Sequence, residues 1–131
     1  MSARILVVED NPANLELMTY LLRASGYDVA QATNGLAGWE NALNGDYDLV
    51  LTDILMPELD GYELARRFKG DARLARTPLI AVTALAMSGD REKILFSGFD
   101  GYISKPIEPQ KFALQIETFL NQGKRGQSSD R

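Results

Sequence analysis

Five short apolar runs recur along this chain without alternating apolar and polar residues. They are Ile5-Leu6-Val7-Val8, Asp28-Val29-Ala30, Leu49-Val50-Leu51, Leu79-Ile80-Ala81-Val82 and the brief Tyr102-Ile103. A strand with one wet face shows a period of two. A run without it reads as a strand covered on both faces, as in a parallel sheet. The covering material lies between the runs. Asn11-Pro12 reads as an N-cap followed by proline at the first helical position. Leu15, Met18 and Leu22 then share one helical face, and Gly26 supplies a stop. Leu36, Trp39 and Leu43 line a second helix that ends near Gly45. Asp60 with Glu63 has the form of a capping box ahead of Leu64 and Phe68. Ser88 is placed to cap a fourth helix carrying Ile94 and Leu95, with Gly98 beyond it, and Phe112, Ile116 and Leu120 mark a fifth.

Strand and helix thus alternate five times. The pattern predicts an α/β fold with a doubly wound, five-stranded parallel sheet and right-handed crossovers, in the flavodoxin-like order 2-1-3-4-5. The 131 residues suit one domain, expected over 1–121. The last stretch, 122–131, is polar and rich in glycine and serine, and is expected to be a disordered tail.

Several function classes drop out early. The net charge of −4 argues against nucleic-acid binding by bulk charge. The chain has no cysteine, which removes thiolate metal sites and thiol nucleophiles, and no histidine, which removes the commonest general base. No apolar run approaches the roughly 18 residues of a membrane helix, and MSARILVVED does not read as a signal peptide. A cytoplasmic protein with no membrane partner is expected.

In open parallel sheets, sites form beyond the carboxyl ends of the strands. Glu9 and Asp10 follow the first run, Asp53 the third, Thr83 the fourth and Lys105 the fifth. Taken singly, each has a plain reading as a cap, a strand-end residue or a surface lysine. In the order 2-1-3-4-5 they converge. Three carboxylates in one place repel one another unless a cation intervenes. With neither histidine nor cysteine available, a hard divalent ion is the natural choice. Mg²⁺, with Mn²⁺ as a substitute, takes carboxylates, a backbone carbonyl and waters, and leaves a place for a phosphate oxygen. Lysine as a point charge and threonine as a hydroxyl donor complete a phosphoryl clamp. This favours phosphoryl transfer with one aspartate as nucleophile.

The stretches VVEDN at 7–11, TDILMPELDG at 52–61, VTALA at 82–86 and YISKPI at 102–107 resemble the response-regulator receiver domain, the CheY-like family, from about residue 4 to 121. The segment TALAMSGD through YISKPI is similar to single-domain regulators of the DivK kind. The resemblance implies that Asp53 accepts a phosphoryl group from a histidine kinase or a histidine phosphotransfer protein. It implies that Asp10 and Asp53 ligate Mg²⁺ directly, Glu9 largely through water, and Leu55 through its backbone carbonyl. Lys105 would contact a phosphoryl oxygen, with a cis Lys105-Pro106 peptide. Thr83 would swing toward the phosphoryl group and Tyr102 would turn inward behind it. The face of helix four, strand five and helix five would then bind a downstream protein.

The resemblance implies a signalling protein rather than an enzyme, beyond its own phosphorylation and dephosphorylation at Asp53. A receiver module excised from a larger regulator or hybrid kinase is the alternative. A haloacid-dehalogenase-type phosphatase would want an aspartate at position 55, where leucine stands, and no GxGxxG or GxxxxGK[ST] marks a nucleotide-binding loop.

Overall fold

Each apolar run becomes a strand, and each intervening segment a helix. The computed structural model describes residues 2–85 and 88–129, with side chains described for 2–85 and 89–122. The strands are β1 (Arg4–Val8), β2 (Asp28–Ala32), β3 (Leu49–Thr52), β4 (Leu79–Thr83) and β5 (Gly101–Ser104), and the helices are α1 (Pro12–Ala24), α2 (Gly35–Asn44), α3 (Gly61–Lys69), α4 (Ser88–Phe96) and α5 (Pro109–Ser129). A short 3₁₀ turn, Leu74–Arg76, precedes β4. All pairings are parallel, in the order β2-β1-β3-β4-β5.

The sheet divides the interior into two apolar layers. On one face Ile5, Val7, Leu49, Leu51, Ile80 and Val82 meet Leu15, Met18 and Leu22 of α1 and Phe112, Ile116 and Leu120 of α5. On the other, Leu6, Val8, Val50 and Ala81 meet Ala42 of α2, Leu64 and Phe68 of α3 and Ile94 of α4. β1, β3 and β4 are therefore covered twice, which is why their sequences show no alternation. Burying a side chain such as Phe112 stabilises the fold by about 1.5–3 kcal/mol.

Local signals set the helix ends. Asn11 Oδ1 accepts the Asn14 N–H at 3.0 Å, with Pro12 at the first helical position, and Gly26 follows α1 at φ +91°, where a side chain would be strained. Asp60 Oδ1 accepts the Glu63 N–H at 2.9 Å, but this is only half of a capping box: the Glu63 carboxylate turns to Arg66 and Arg67. The predicted cap at Ser88 lies outside the described side chains. The α2 face also departs from expectation. Leu36 and Leu43 are exposed, and Gly35, Gly38 and Ala42 face inward. A Cβ on Gly38 would come within 2.7 Å of Val8 Cγ2, so α2 approaches β1 too closely for a large residue on that face.

Helix α5 continues beyond Leu120. Of the polar segment 122–131, expected to be a disordered tail, 122–129 fall on the end of this helix, with 123–129 outside the described side chains, and 130–131 lie outside the described residues.

Candidate functional site

The strand register brings the sequence-predicted acids together. Val8 pairs with Thr52, so the next residues, Glu9 and Asp53, leave neighbouring strands side by side. Backbone hydrogen bonds extend the sheet one step past its ends. The Asp53 N–H donates to Val8 O at 3.1 Å, the Glu9 N–H to Ala32 O at 3.0 Å and the Lys105 N–H to Thr83 O at 2.8 Å. Glu9, Asp10 and Asp53 each offer a carboxylate oxygen within 4.8 Å of the others. Glu9 and Asp53 are buried and Asp10 is exposed.

Lys105 spans the two buried acids. Its Nζ lies 2.8 Å from Asp53 Oδ2, with a hydrogen bond, and 2.7 Å from Glu9 Oε1. The second contact is an ion pair by proximity without aligned hydrogen-bond geometry, so Oε1 is a buried oxygen lacking a hydrogen bond. Glu9 Oε2 accepts the Asn11 N–H at 3.1 Å, and Asp53 Oδ1 accepts the Ile54 N–H at 2.7 Å.

Burial pushes the Glu9 carboxyl above the usual glutamate range, and the negative Asp53 adds to the push. The Lys105 and Asn11 contacts pull the other way without cancelling it. Burial by itself would lower the Lys105 ammonium, but its contacts with Asp53 and Glu9 outweigh that and hold it above the ordinary lysine value. Lys105 thus stays charged at neutral pH.

One ammonium does not neutralise three carboxylates. The donor set is all hard oxygen, one buried oxygen has no hydrogen bond, and among the described hydrogen bonds none ends on the Leu55 carbonyl. Such residues fit a divalent ion of the Mg²⁺ kind. Leu55 itself points its side chain outward and is 60% exposed, so the apolar residue at this position does not crowd the acids.

Thr83 and Tyr102 stand further back. Thr83 is fully buried at the end of β4, and its Oγ1 accepts the Leu85 N–H at 3.1 Å. Among the described residues no hydrogen bond joins Thr83 to Asp53. Tyr102 pairs with Ala81 across β4 and β5 and is half-buried. The Lys105-Pro106 peptide is cis, as the resemblance implies.

Sequence reasoning missed two supports of Asp53. The Thr52 hydroxyl donates to the Asp53 carbonyl at 2.8 Å. Gly61, the first residue of α3, presses on the same segment: a Cβ there would lie 2.6 Å from Asp53 O and 2.7 Å from Ile54 Cα. A glycine opening a helix soon after the acid was a visible signal, but only the packing shows what it is for.

The family description "Response regulator receiver domain" matches residues 5–117. The polar-differentiation response regulator DivK of Brucella anthropi is 42% identical over 120 residues, covering 92% of this chain and 98% of that protein. The Brucella ovis DivK is 41% identical over the same shares. Among solved structures, the receiver domain of a Pseudomonas aeruginosa sensor histidine kinase, with a magnesium ion coordinated in its active-site cleft, is similar at a TM-score of 0.85 and 34% identity, covering 92% of this chain and 99% of that one. A CheY-like receiver domain from Methanospirillum hungatei is similar at a TM-score of 0.87 and 28% identity, covering 96% and 99%.

Proposed function

The chain belongs to the response regulator receiver family, and from that premise we propose that it is a phosphorylation-driven protein switch with Asp53 as the phosphoacceptor. The observation that carries this reading is the bridge from Lys105 to Asp53 and Glu9, at 2.8 and 2.7 Å, beside three clustered carboxylates. A carboxylate oxygen of Asp53 attacks the phosphorus of a phosphohistidine on a histidine kinase or phosphotransfer protein. The new O–P bond forms as the P–N bond breaks, and the imidazole leaves on the partner. This chain has no histidine to act as donor, so the partner must bring one.

Asp10, Asp53 and the Leu55 carbonyl would hold Mg²⁺, or Mn²⁺ in its place, with Glu9 acting largely through water. A bound ion would supply charge neutralisation at the phosphoryl oxygens. Lys105 follows the charge: its ammonium, already at Asp53 Oδ2, can take a phosphoryl oxygen as acceptor. The Ile54 N–H keeps the Asp53 carboxylate oriented.

The transferred group adds charge and strong acceptor oxygens. Thr83 can exchange its contact with the Leu85 N–H for one to a phosphoryl oxygen, leaving space that the half-buried Tyr102 ring can fill. Turning a 1:99 population into 99:1 takes about 5.5 kcal/mol. Two or three charge-assisted hydrogen bonds of about 1.5–3 kcal/mol each reach that when they lie toward the stronger end of the range. The face of α4, β5 and α5 then changes shape for a downstream protein. Among the described residues no helix is long and apolar enough to cross a membrane. The likeness to DivK, which spans 98% of that protein, supports a DivK-like regulator acting in the cytoplasm.

Incubation with Mg²⁺ and acetyl phosphate, read by intact mass, tests the reading. Wild type is expected to gain one phosphoryl group and Asp53→Asn none. Labelling of Asp53→Asn at the wild-type level would overturn the assignment of the site.

A further inference from the structure

Helix α4 is fastened to its surroundings by little apolar burial. Of its described side chains only Ile94 is fully buried, whereas Leu95 and Phe96 are exposed. Two of its cations lie on aromatic rings of neighbouring elements. Lys93 Nζ stands 4.6 Å from the ring centre of Tyr62 on α3, and the Arg91 guanidinium 5.5 Å from that of Tyr102 on β5. Both separations lie within the reach of a cation–π attraction. Among the described residues no salt bridge engages Arg91, so the ring is its partner.

The contact is made in a defined arrangement. Thr83 Oγ1 is held by the Leu85 N–H, and Leu85 and Tyr102 pack against the same apolar layer. The Arg91 contact therefore accompanies a threonine hydroxyl held back from Asp53. A ring that moves inward leaves the exposed guanidinium behind.

We propose that Arg91 is a positioning residue for Tyr102, holding the ring in its resting place and so setting how readily the switch turns. This rests on the proposed function, because it assigns Tyr102 to the moving part. Coupling between two equilibria is reciprocal. If phosphorylation at Asp53 biases the ring, releasing the ring must favour the phosphorylation-competent arrangement. An exposed cation–π contact corresponds to about a two- to fivefold change in a two-state population. Lys93 provides the internal comparison, since it holds the same helix without touching Tyr102.

The test uses the full chain labelled with 3-fluorotyrosine, with the Tyr102 signal among the five tyrosines assigned by its loss in Tyr102→Phe. In Arg91→Met the resting fluorine signal of Tyr102 should move toward its position in wild type treated with Mg²⁺ and acetyl phosphate. Phosphorylation should quicken by about two- to fivefold. Arg91→Lys, which keeps a cation, should restore both, and Lys93→Met should change neither. An unmoved Tyr102 signal in Arg91→Met, or an equal effect of Lys93→Met, overturns the proposal. If wild type takes no phosphoryl group, the functional reading falls by itself. The resting signal in Arg91→Met still decides the positioning contact.

Discussion

Lys105 Nζ donates to Asp53 Oδ2 at 2.8 Å across 52 positions of sequence, and the same nitrogen lies 2.7 Å from Glu9 Oε1. One ammonium from the end of β5 therefore holds together the acids that end β1 and β3. It also competes with any cation for those acids, while providing the charge a phosphoryl group would need.

Lys105→Ala should for this reason separate two properties. Removing the positive neighbour should leave Mg²⁺ affinity equal or raise it by up to about tenfold, equivalent to about 1.4 kcal/mol. The response of the α4–β5–α5 face to phosphorylation should be lost. Calorimetric titration with Mg²⁺ checks the first part, and amide shifts of β5 with and without acetyl phosphate check the second. Weaker Mg²⁺ binding in the variant would contradict the geometry.

Glu9 predicts the pH dependence of metal binding. Its carboxyl is raised above 4.5, chiefly by burial, so in the metal-free protein a proton competes with the ion at a higher pH than for an ordinary glutamate. Mg²⁺ affinity should decline as pH falls through that raised value. Glu9→Gln should bind more weakly at neutral pH and lose that part of the pH dependence. The linkage to stability has the opposite sign. The proton held by a raised carboxyl favours the folded state below 4.5, and this contribution disappears as pH rises through the folded-state value. Urea unfolding of wild type and Glu9→Gln across pH would show it.

Thr83→Val keeps the volume and removes the hydroxyl. The Leu85 N–H then loses its acceptor, at a cost of about 1–3 kcal/mol if it stays dry. Asp53 should still be phosphorylated, because Thr83 does not touch it in the resting arrangement. The Tyr102 ring should no longer follow. A fluorine signal from Tyr102 that moves on phosphorylation as in wild type would remove Thr83 from the switch.

Gly61→Ala should damage the site without altering any acid. The added Cβ meets backbone at Asp53 and Ile54, which cannot rotate away as a side chain can. A destabilisation of about 1–3 kcal/mol is expected in urea unfolding, together with slower phosphorylation at Asp53. Gly26→Ala makes a useful contrast. There the strain is conformational, at φ +91° with nothing within 4 Å, so stability should fall while the site keeps its behaviour.

The sequence by itself determined the elements and the candidate chemistry. Runs without alternation marked the strands, of which β1, β3 and β4 are covered on both faces while the edge strands β2 and β5 are only partly buried, and Asn11 and Asp60 marked helix starts through their side-chain acceptors. Leu15, Met18, Leu22, Phe112, Ile116 and Leu120 marked inward faces by their spacing. These are local signals, carried by period and by groups a few residues apart. Tertiary structure decided what depends on distance across the chain. Leu36 and Leu43 looked like core and are exposed, whereas Gly35, Gly38 and Ala42 face inward, Gly38 so close to Val8 that a Cβ would clash. Glu63 looked like a return cap and pairs with arginines instead. The bridge from Lys105 to Glu9 and Asp53, the pressure of Gly61 on Asp53 and the seat of Arg91 on Tyr102 all join residues whose spacing along the chain says nothing of their contact. Strand order and register create those contacts, and they exist only once the sheet has closed.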